Sequence, residues 1–303
     1  VQVVTDENAD LLAAVDDDIN QLVDEHLERR EHWYFHEHVP WERGESFKDK
    51  PWDKSQATIP EPAQTALVLN LLTEDNLPYY HASLDEAAPE GSGLKRWGGI
   101  WTAEENQHGI AMRAYLMCSR NCDPHLLEDD RLATMKAGWS PAITSPAHLM
   151  AYTAIQELAT RVSHRNAGKI SGDKDCFELM KLIALDENHH FIFYKSVMAA
   201  MLRVSPASAL EGIYQTLLEF KMPGFVMPNY LRRSVKVAKA GVYNMRIHHD
   251  NVLQPVLRDW GIGSLTGLPD NGAELQDRIM ELPNKTLEMA ERFEARYGDA
   301  AVA

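Results

Sequence analysis

The chain reads as all-α, and three observations carry that reading. Apolar residues recur at a period near 3.6 along most of its length, and runs of alternating β-branched residues are scarce. Proline and glycine gather in short clusters that leave helix-length segments between them. The clusters are "PWDKSQATIPEPAQ" at 51–64, "AAPEGSGLKRWGG" at 87–99, "KAGWSPAITSPA" at 136–147 and "GIGSLTGLPDNGAE" at 261–274. With 303 residues, 45% of them hydrophobic, a single helical domain spanning 1–303 can bury a sizeable core. Its bundle core is expected at about 60–205, with a helical extension at about 206–303.

Several function classes fall away on composition. A formal charge of −15 opposes broad attachment to phosphate backbones or anionic lipid, so nucleic acid is not an expected partner. Cys118, Cys122 and Cys176 include no C-x-x-C pair, which argues against a disulfide framework and a structural zinc site and for a reducing cytoplasm. The start, "VQVVTDENADLLAAVDDDINQLVDEH", lacks a basic segment followed by an apolar run. The longest apolar stretch, "FIFYKSVMAAML", is too short to span a membrane and carries Lys195.

Taken in order, the segments differ in what they offer. The "DDD" at 16–18 reads as a solvated helix face. His32, His36 and His38 in "EHWYFHEHVPW" are poorly spaced for one helical face, and the neighbouring Trp33, Tyr34 and Phe35 argue for packing instead of a metal site. Glu74 lies in "LVLNLLTEDNLPYY", where Pro78, one turn later, should bend the helix. The next helix carries a stripe of Leu94, Trp97, Trp101, Glu105, His108, Met112, Tyr115 and Leu116, apolar except for a glutamate and a histidine three apart. Glu157 follows in "YTAIQELATRVSH". The stripe Cys176, Met180, Ile183, Glu187, His190, Tyr194 and Val197 then repeats the same interruption. Farther on, "KMPGFVMP" should end a helix. Arg232, Lys236 and Lys239 share one helical face with Arg233 beside it, and His248 and His249 carry no clear signal.

About one Glu-x-x-His is expected by chance in a chain of this composition, so the spacing alone decides little. The larger pattern decides more. Glu74 precedes Glu105 by 31 residues and Glu157 precedes Glu187 by 30, so the chain runs Glu, then Glu-x-x-His, twice. Such separations bring the middles of antiparallel helices opposite one another. Four buried carboxylates would repel one another and lose their hydration, and two divalent cations would offset that charge. Carboxylate oxygens with imidazole nitrogens suit iron or manganese. The pattern therefore points to a ferritin-like four-helix bundle holding two metal ions through Glu74, Glu105, His108, Glu157, Glu187 and His190.

At these residues the sequence resembles the soluble acyl-carrier-protein desaturases, the stearoyl-type family of plant plastids and its bacterial relatives. "TEDNLP", "WTAEENQHG", "QELATRVSHRN" and "LDENHHF" stand in the family's order, within a match covering roughly residues 30–250. The resemblance implies a diiron centre on the six ligands and Thr160 beside the oxygen-binding face. It also implies an electron-entry route through Asp186 and Trp41. The implied activity is O2-dependent formation of a cis double bond in an acyl chain on acyl carrier protein, with electrons from a ferredoxin-type donor. The implied assembly is a homodimer. An acidic carrier protein needs a confined basic surface, which Arg232, Arg233, Lys236 and Lys239 could supply.

The chain departs from the family where arginine commonly precedes each liganding histidine: here those positions are Gln107 and His189. His189 lies off the metal-facing stripe. The same scaffold also suits a diiron hydroxylase or N-oxygenase, or a divergent member with weak or no desaturase turnover.

Overall fold

A computed structural model describes residues 6–139, 142–268 and 272–298. Among these residues every regular element is helical, as the period predicts. In chain order the α-helices are α1 (Asp6–Ala14), α2 (Asp16–Arg29), α3 (Glu61–Asp75), α4 (Leu77–Ala87), α5 (Gly93–Cys118), α6 (Pro124–Ala137), α7 (Pro146–Ser171), α8 (Lys174–Val204), α9 (Pro206–Glu219), α10 (Tyr230–Lys239), α11 (Met245–His248), α12 (Gln254–Asp259) and α13 (Gly272–Tyr297). A π-helical turn, His249–Leu253, joins α11 to α12. No helix among the described residues is long and apolar enough to cross a membrane.

The long helices begin where the sequence supplies a cap. Ser92 Oγ accepts from the Lys95 amide at 3.2 Å to start α5, and Ser145 Oγ accepts from His148 N at 3.1 Å to start α7. Asp173 Oδ1 takes the amides of Asp175 and Cys176 at 2.9 and 3.1 Å and starts α8. The α7–α8 hairpin turns at Gly172, whose φ of 67° is left-handed backbone that a side chain would disfavour. Gly172 lies midway in sequence between Glu157 and Glu187, so antiparallel packing sets those two residues level.

Around the bundle the order is α3, α5, α8, α7, each helix packed on the next and α7 back on α3. On the outside, α2 lies across α5 and α8, α9 packs on α7 and α8, and α13 packs on α9. Buried apolar residues form two clusters with a gap between them. On α5 one cluster takes Leu94, Trp97 and Trp101 and the other Ala111, Met112, Tyr115 and Leu116. On α8 the division falls between Ile183 and Phe191. Both gaps coincide with the Glu-x-x-His segments, so a polar layer crosses the bundle.

Two local expectations need correction. Pro78 does not bend one continuous helix: α3 stops at Asp75, and α4 restarts at Leu77 with Pro78 in its first turn, where a missing N–H leaves no hydrogen bond unmade. Glu74 consequently sits in the last turn of α3, not at a helix midpoint, whereas Glu105, Glu157 and Glu187 lie near the middles of α5, α7 and α8. The "KMPGFVMP" segment does follow a helix end, with a 3-10 turn at Pro223–Val226.

Helix α9 meets the start of α7 backbone to backbone. A Cβ at Gly212 would stand 2.5 Å from the Ala147 carbonyl carbon and 2.6 Å from His148 N. Gly212→Ala should force the helices apart and cost about 1–3 kcal/mol, read as an earlier urea-unfolding midpoint. Gly99→Ala, where a Cβ meets nothing within 4 Å, should leave that midpoint unchanged or raise it.

Candidate metal centre

The polar layer is made by the six side chains the sequence pattern singles out. Glu74 comes from α3, Glu105 and His108 from α5, Glu157 from α7, and Glu187 and His190 from α8, all with relative exposures of 6% or less. They form two groups of four, Glu74, Glu105, His108 and Glu187, then Glu105, Glu157, Glu187 and His190. In each group the donor atoms lie within 4.8 Å of one another. Glu105 and Glu187 belong to both groups, so two cations held there would share them.

Unsatisfied atoms show that the layer fits a metal. Nδ1 of His108 and of His190, Oε1 of Glu105, and Oε2 of Glu157 and of Glu187 are buried without a hydrogen-bond partner. Native interiors leave few such atoms, and of the twelve among the described residues these five fall on the six candidate side chains. Two cations, one in each group, would meet all five. His190 Nδ1 stands 2.9 Å from Glu105 Oε1 and 3.4 Å from Glu187 Oε2, and His108 Nδ1 stands 3.6 Å from each of the same two glutamates.

The outer ring nitrogens are held by a crossed arrangement. His108 Nε2 on α5 donates to Asp186 on α8 at 3.2 Å, and His190 Nε2 on α8 donates to Glu104 on α5 at 2.8 Å. Each acid immediately precedes the shared glutamate of its own helix and supports the histidine of the other. With the proton fixed on Nε2, Nδ1 is left free to face a cation. Trp33 Nε1 donates to Asp186 at 2.8 Å, and His26 Nε2 lies 3.1 Å from Glu104. His164 completes the layer: Asn70 Nδ2 donates to its Nδ1 at 3.1 Å, which leaves Nε2 to donate to Glu187 Oε1 at 3.1 Å.

Crowding sets the charge state of the metal-free layer. Burial, then the neighbouring acids, pushes Glu74 and Glu157 well above the usual carboxylate range. Burial also pushes on Glu105, but the imidazoles of His108 and His190 close beside it outweigh that and hold it low. For His108 burial disfavours the charge, yet its bonds to Asp186 and Glu105 raise it to about 10. Hydrogen bonds from His190 and His26 overcome the burial of Glu104 and bring it down to about 2. Burial keeps His164 neutral, lowering it to about 3.

The remaining candidates fall in different places. Thr160 is buried one turn beyond Glu157, and its hydroxyl donates to the backbone carbonyls of Glu157 at 2.9 Å and Gln156 at 3.1 Å. Asp186 joins the layer as described. Trp41 does not: it is 48% exposed in a 3-10 turn, and its Nε1 donates to His36 O. The indole on Asp186 is that of Trp33, 7% exposed and lying parallel to the His108 ring at 6.5 Å. The segment after α2 is irregular, and without a period its sequence does not tell which tryptophan turns inward. Of the basic residues, Arg233 pairs with Asp130, Lys236 pairs with Glu61, and Lys239 Nζ stands 4.0 Å over the Tyr297 ring.

Glu104, Arg30, His26, Trp33 and His164 were not anticipated. For Glu104 a signal existed in the acidic doublets "EE" at 104–105 and "DE" at 186–187. Beside the layer is a cavity of about 50 Å³ lined in part by Tyr80, Leu84, Trp101, Trp139, Tyr152 and Tyr194. Trp101 also donates through Nε1 to Glu157 Oε1 at 3.1 Å.

Residues 7–302 match the model of the fatty acid desaturase family. The chain belongs to that family. It is 38% identical over 296 residues to DesA1 of Mycobacterium tuberculosis, by name an acyl-[acyl-carrier-protein] desaturase, covering 94% of this chain and 87% of that protein. It is 28% identical over 288 residues to the chloroplastic stearoyl-[acyl-carrier-protein] 9-desaturase of Spinacia oleracea, covering 88% and 72%. Among solved structures, DesA2 of M. tuberculosis aligns with a TM-score of 0.71 at 25% identity, over 88% of this chain and 98% of that one. This member of the desaturase family thus has the ferritin-like helical fold that the ligand spacing predicts.

Two measurements follow from the shared glutamates and the trapped protons. Glu105→Gln or Glu187→Gln should abolish uptake of both ions, whereas Glu74→Gln should chiefly remove one, as counted by metal analysis after anaerobic loading. His108, raised to about 10, and His190, raised well above the ordinary imidazole range, must lose protons to bind. Loading in weak buffer should therefore acidify the solution, and metal affinity should fall as pH falls, by about tenfold per unit for each proton released.

Proposed function

We propose that the chain is an iron-dependent desaturase that introduces a cis double bond into an acyl chain carried on acyl carrier protein. The observation carrying this reading is the pair of overlapping ligand groups joined by Glu105 and Glu187. The names of DesA1 and the spinach enzyme supply the substrate class. Glu74 and His108 would hold one iron, Glu157 and His190 the other, and Glu105 and Glu187 both; manganese is a possible substitute. Bound there, reduced iron supplies, with O2, the oxidising power that removing hydrogen from unactivated methylenes demands. The balance is one saturated acyl chain, O2, two electrons and two protons giving one alkene and two waters.

The protein's part is placement. Trp101 fixes Glu157 and walls the cavity, so the reacting carbons would lie beside that ligand. The aromatic lining keeps water from the site. Asp186 and Glu104 hold the imidazoles in one tautomer and orientation. The hydrogen-bonded run Trp33, Asp186, His108 is proposed as the entry for electrons from a ferredoxin-type donor, in place of Trp41. Thr160 is proposed to line the O2-facing side, its hydroxyl leaving the backbone carbonyls to do so.

For the carrier protein, Arg232, Arg233, Lys236 and Lys239 remain the proposed surface, beside the exposed Leu231 and Phe225. Asp130 and Glu61 already engage two of those cations, so an acidic carrier would compete with them. A second copy of the chain is proposed to seat on the groove where Phe35, Trp41, Leu77 and Ile110 line the wall together with Glu74 and Arg113. Three free cysteines suit a cytoplasmic setting.

The test is anaerobic iron loading, then O2 and reduced ferredoxin with a series of acyl carrier protein substrates and mass analysis of the products. An alkene two hydrogens lighter than its substrate is expected. An oxygen-bearing product would move the assignment to hydroxylation, and an inert chain with both irons bound would end the proposal.

A further inference from the structure

The two acids that hold the ligating histidines share one cation. Arg30 closes the C-terminal end of α2, and its side chain is 6% exposed. Its Nη2 donates to Asp186 Oδ2 at 3.2 Å, its Nε forms an ion pair with Glu104 Oε1 at 3.0 Å without a hydrogen bond, and its Nη1 meets His32 Nδ1 at 2.5 Å. Glu104 belongs to α5 and Asp186 to α8, so a single guanidinium spans the two helices. The other groups on these acids serve one each: His26 lies on Glu104 and Trp33 donates to Asp186.

The reach of Arg30 follows from α2 itself. Its inward face is Ile19, Val23 and His26, at helical spacing, and Arg30 continues that line by one more turn. The positions beside the ligating histidines contribute no cation of their own. Gln107 is neutral, and the His189 ring lies edge-on to His26, 6.0 Å between centroids.

We infer that Arg30 is a positioning residue that fixes both halves of the metal centre at once, by anchoring Glu104 and Asp186 and through them His190 and His108. A forked, permanently charged group suits that task because it can address two carboxylates in fixed directions, which an ammonium cannot. Without it both buried acids lose their common counter-charge, and each imidazole loses a fixed acceptor. The inference rests on reading the polar layer as a dimetal site.

The test uses the whole chain and reads metal binding, not turnover. Arg30→Gln, checked for native circular dichroism, should weaken ferrous iron binding at both sites by roughly 10–100-fold in anaerobic chelator competition. Trp33→Phe should weaken chiefly the site of His108. In Arg30→Gln the midpoint potential of the iron pair should also move negative, because a lost positive charge favours the more positive oxidised state. Adding His189→Arg should recover part of both losses, a rescue that a general packing defect would not show. If Arg30→Gln fails to fold, Arg30→Lys carries the test: a point charge should leave one site weaker than the other, and wild-type affinity at both sites would overturn the inference. Wild-type uptake of two irons together with an indifferent Arg30→Gln overturns this inference alone. A wild-type chain that binds no iron overturns the dimetal reading with it.

Discussion

Mutual repulsion among buried carboxylates is the constraint on which the rest of this structure depends. Glu74, Glu105, Glu157 and Glu187 share one buried layer, with Glu104 and Asp186 at its edge. No packing of apolar residues offsets that charge; histidines and Arg30 meet part of it, and the proposed cations would meet the rest. The consequence reaches the fold as a whole. The apolar core is parted into two clusters, and each long helix carries an apolar stripe on either side of its polar interruption.

Crossing of support between helices gives the layer its order. Each of α5 and α8 contributes an acid, a shared glutamate and a histidine within five residues, and each acid serves the other helix's histidine. Neither motif is complete alone. Helix α2 then sets His26 and Arg30 against the seam, so an element outside the four-helix bundle takes part in its electrostatics. The extended run after it brings in Trp33.

How much of this was legible depended on periodicity. The all-helical class, both apolar stripes and all six clustered side chains could be read because a helix repeats its faces at a fixed interval, and every member of those stripes is buried. The break at Asn76 was misread as a bend, since proline at a helix start and proline within a helix look alike in sequence. Trp33 was passed over for Trp41 because irregular backbone has no period to say which ring turns inward. Arg30 was harder still: its partners lie 74 and 156 residues away, a pairing that exists only once α2 has docked.

Trp101 gives one indole two duties. Its ring is part of the wall of the cavity, and its nitrogen holds Glu157. At about 50 Å³ the cavity is narrow, so a guest longer than a few small groups must displace the rings around it. A single hydrogen bond thus joins that wall to a carboxylate of the buried layer. A guest that shifted this indole would therefore act on the acid nearest to it through the same side chain, with no moving loop needed to connect the two.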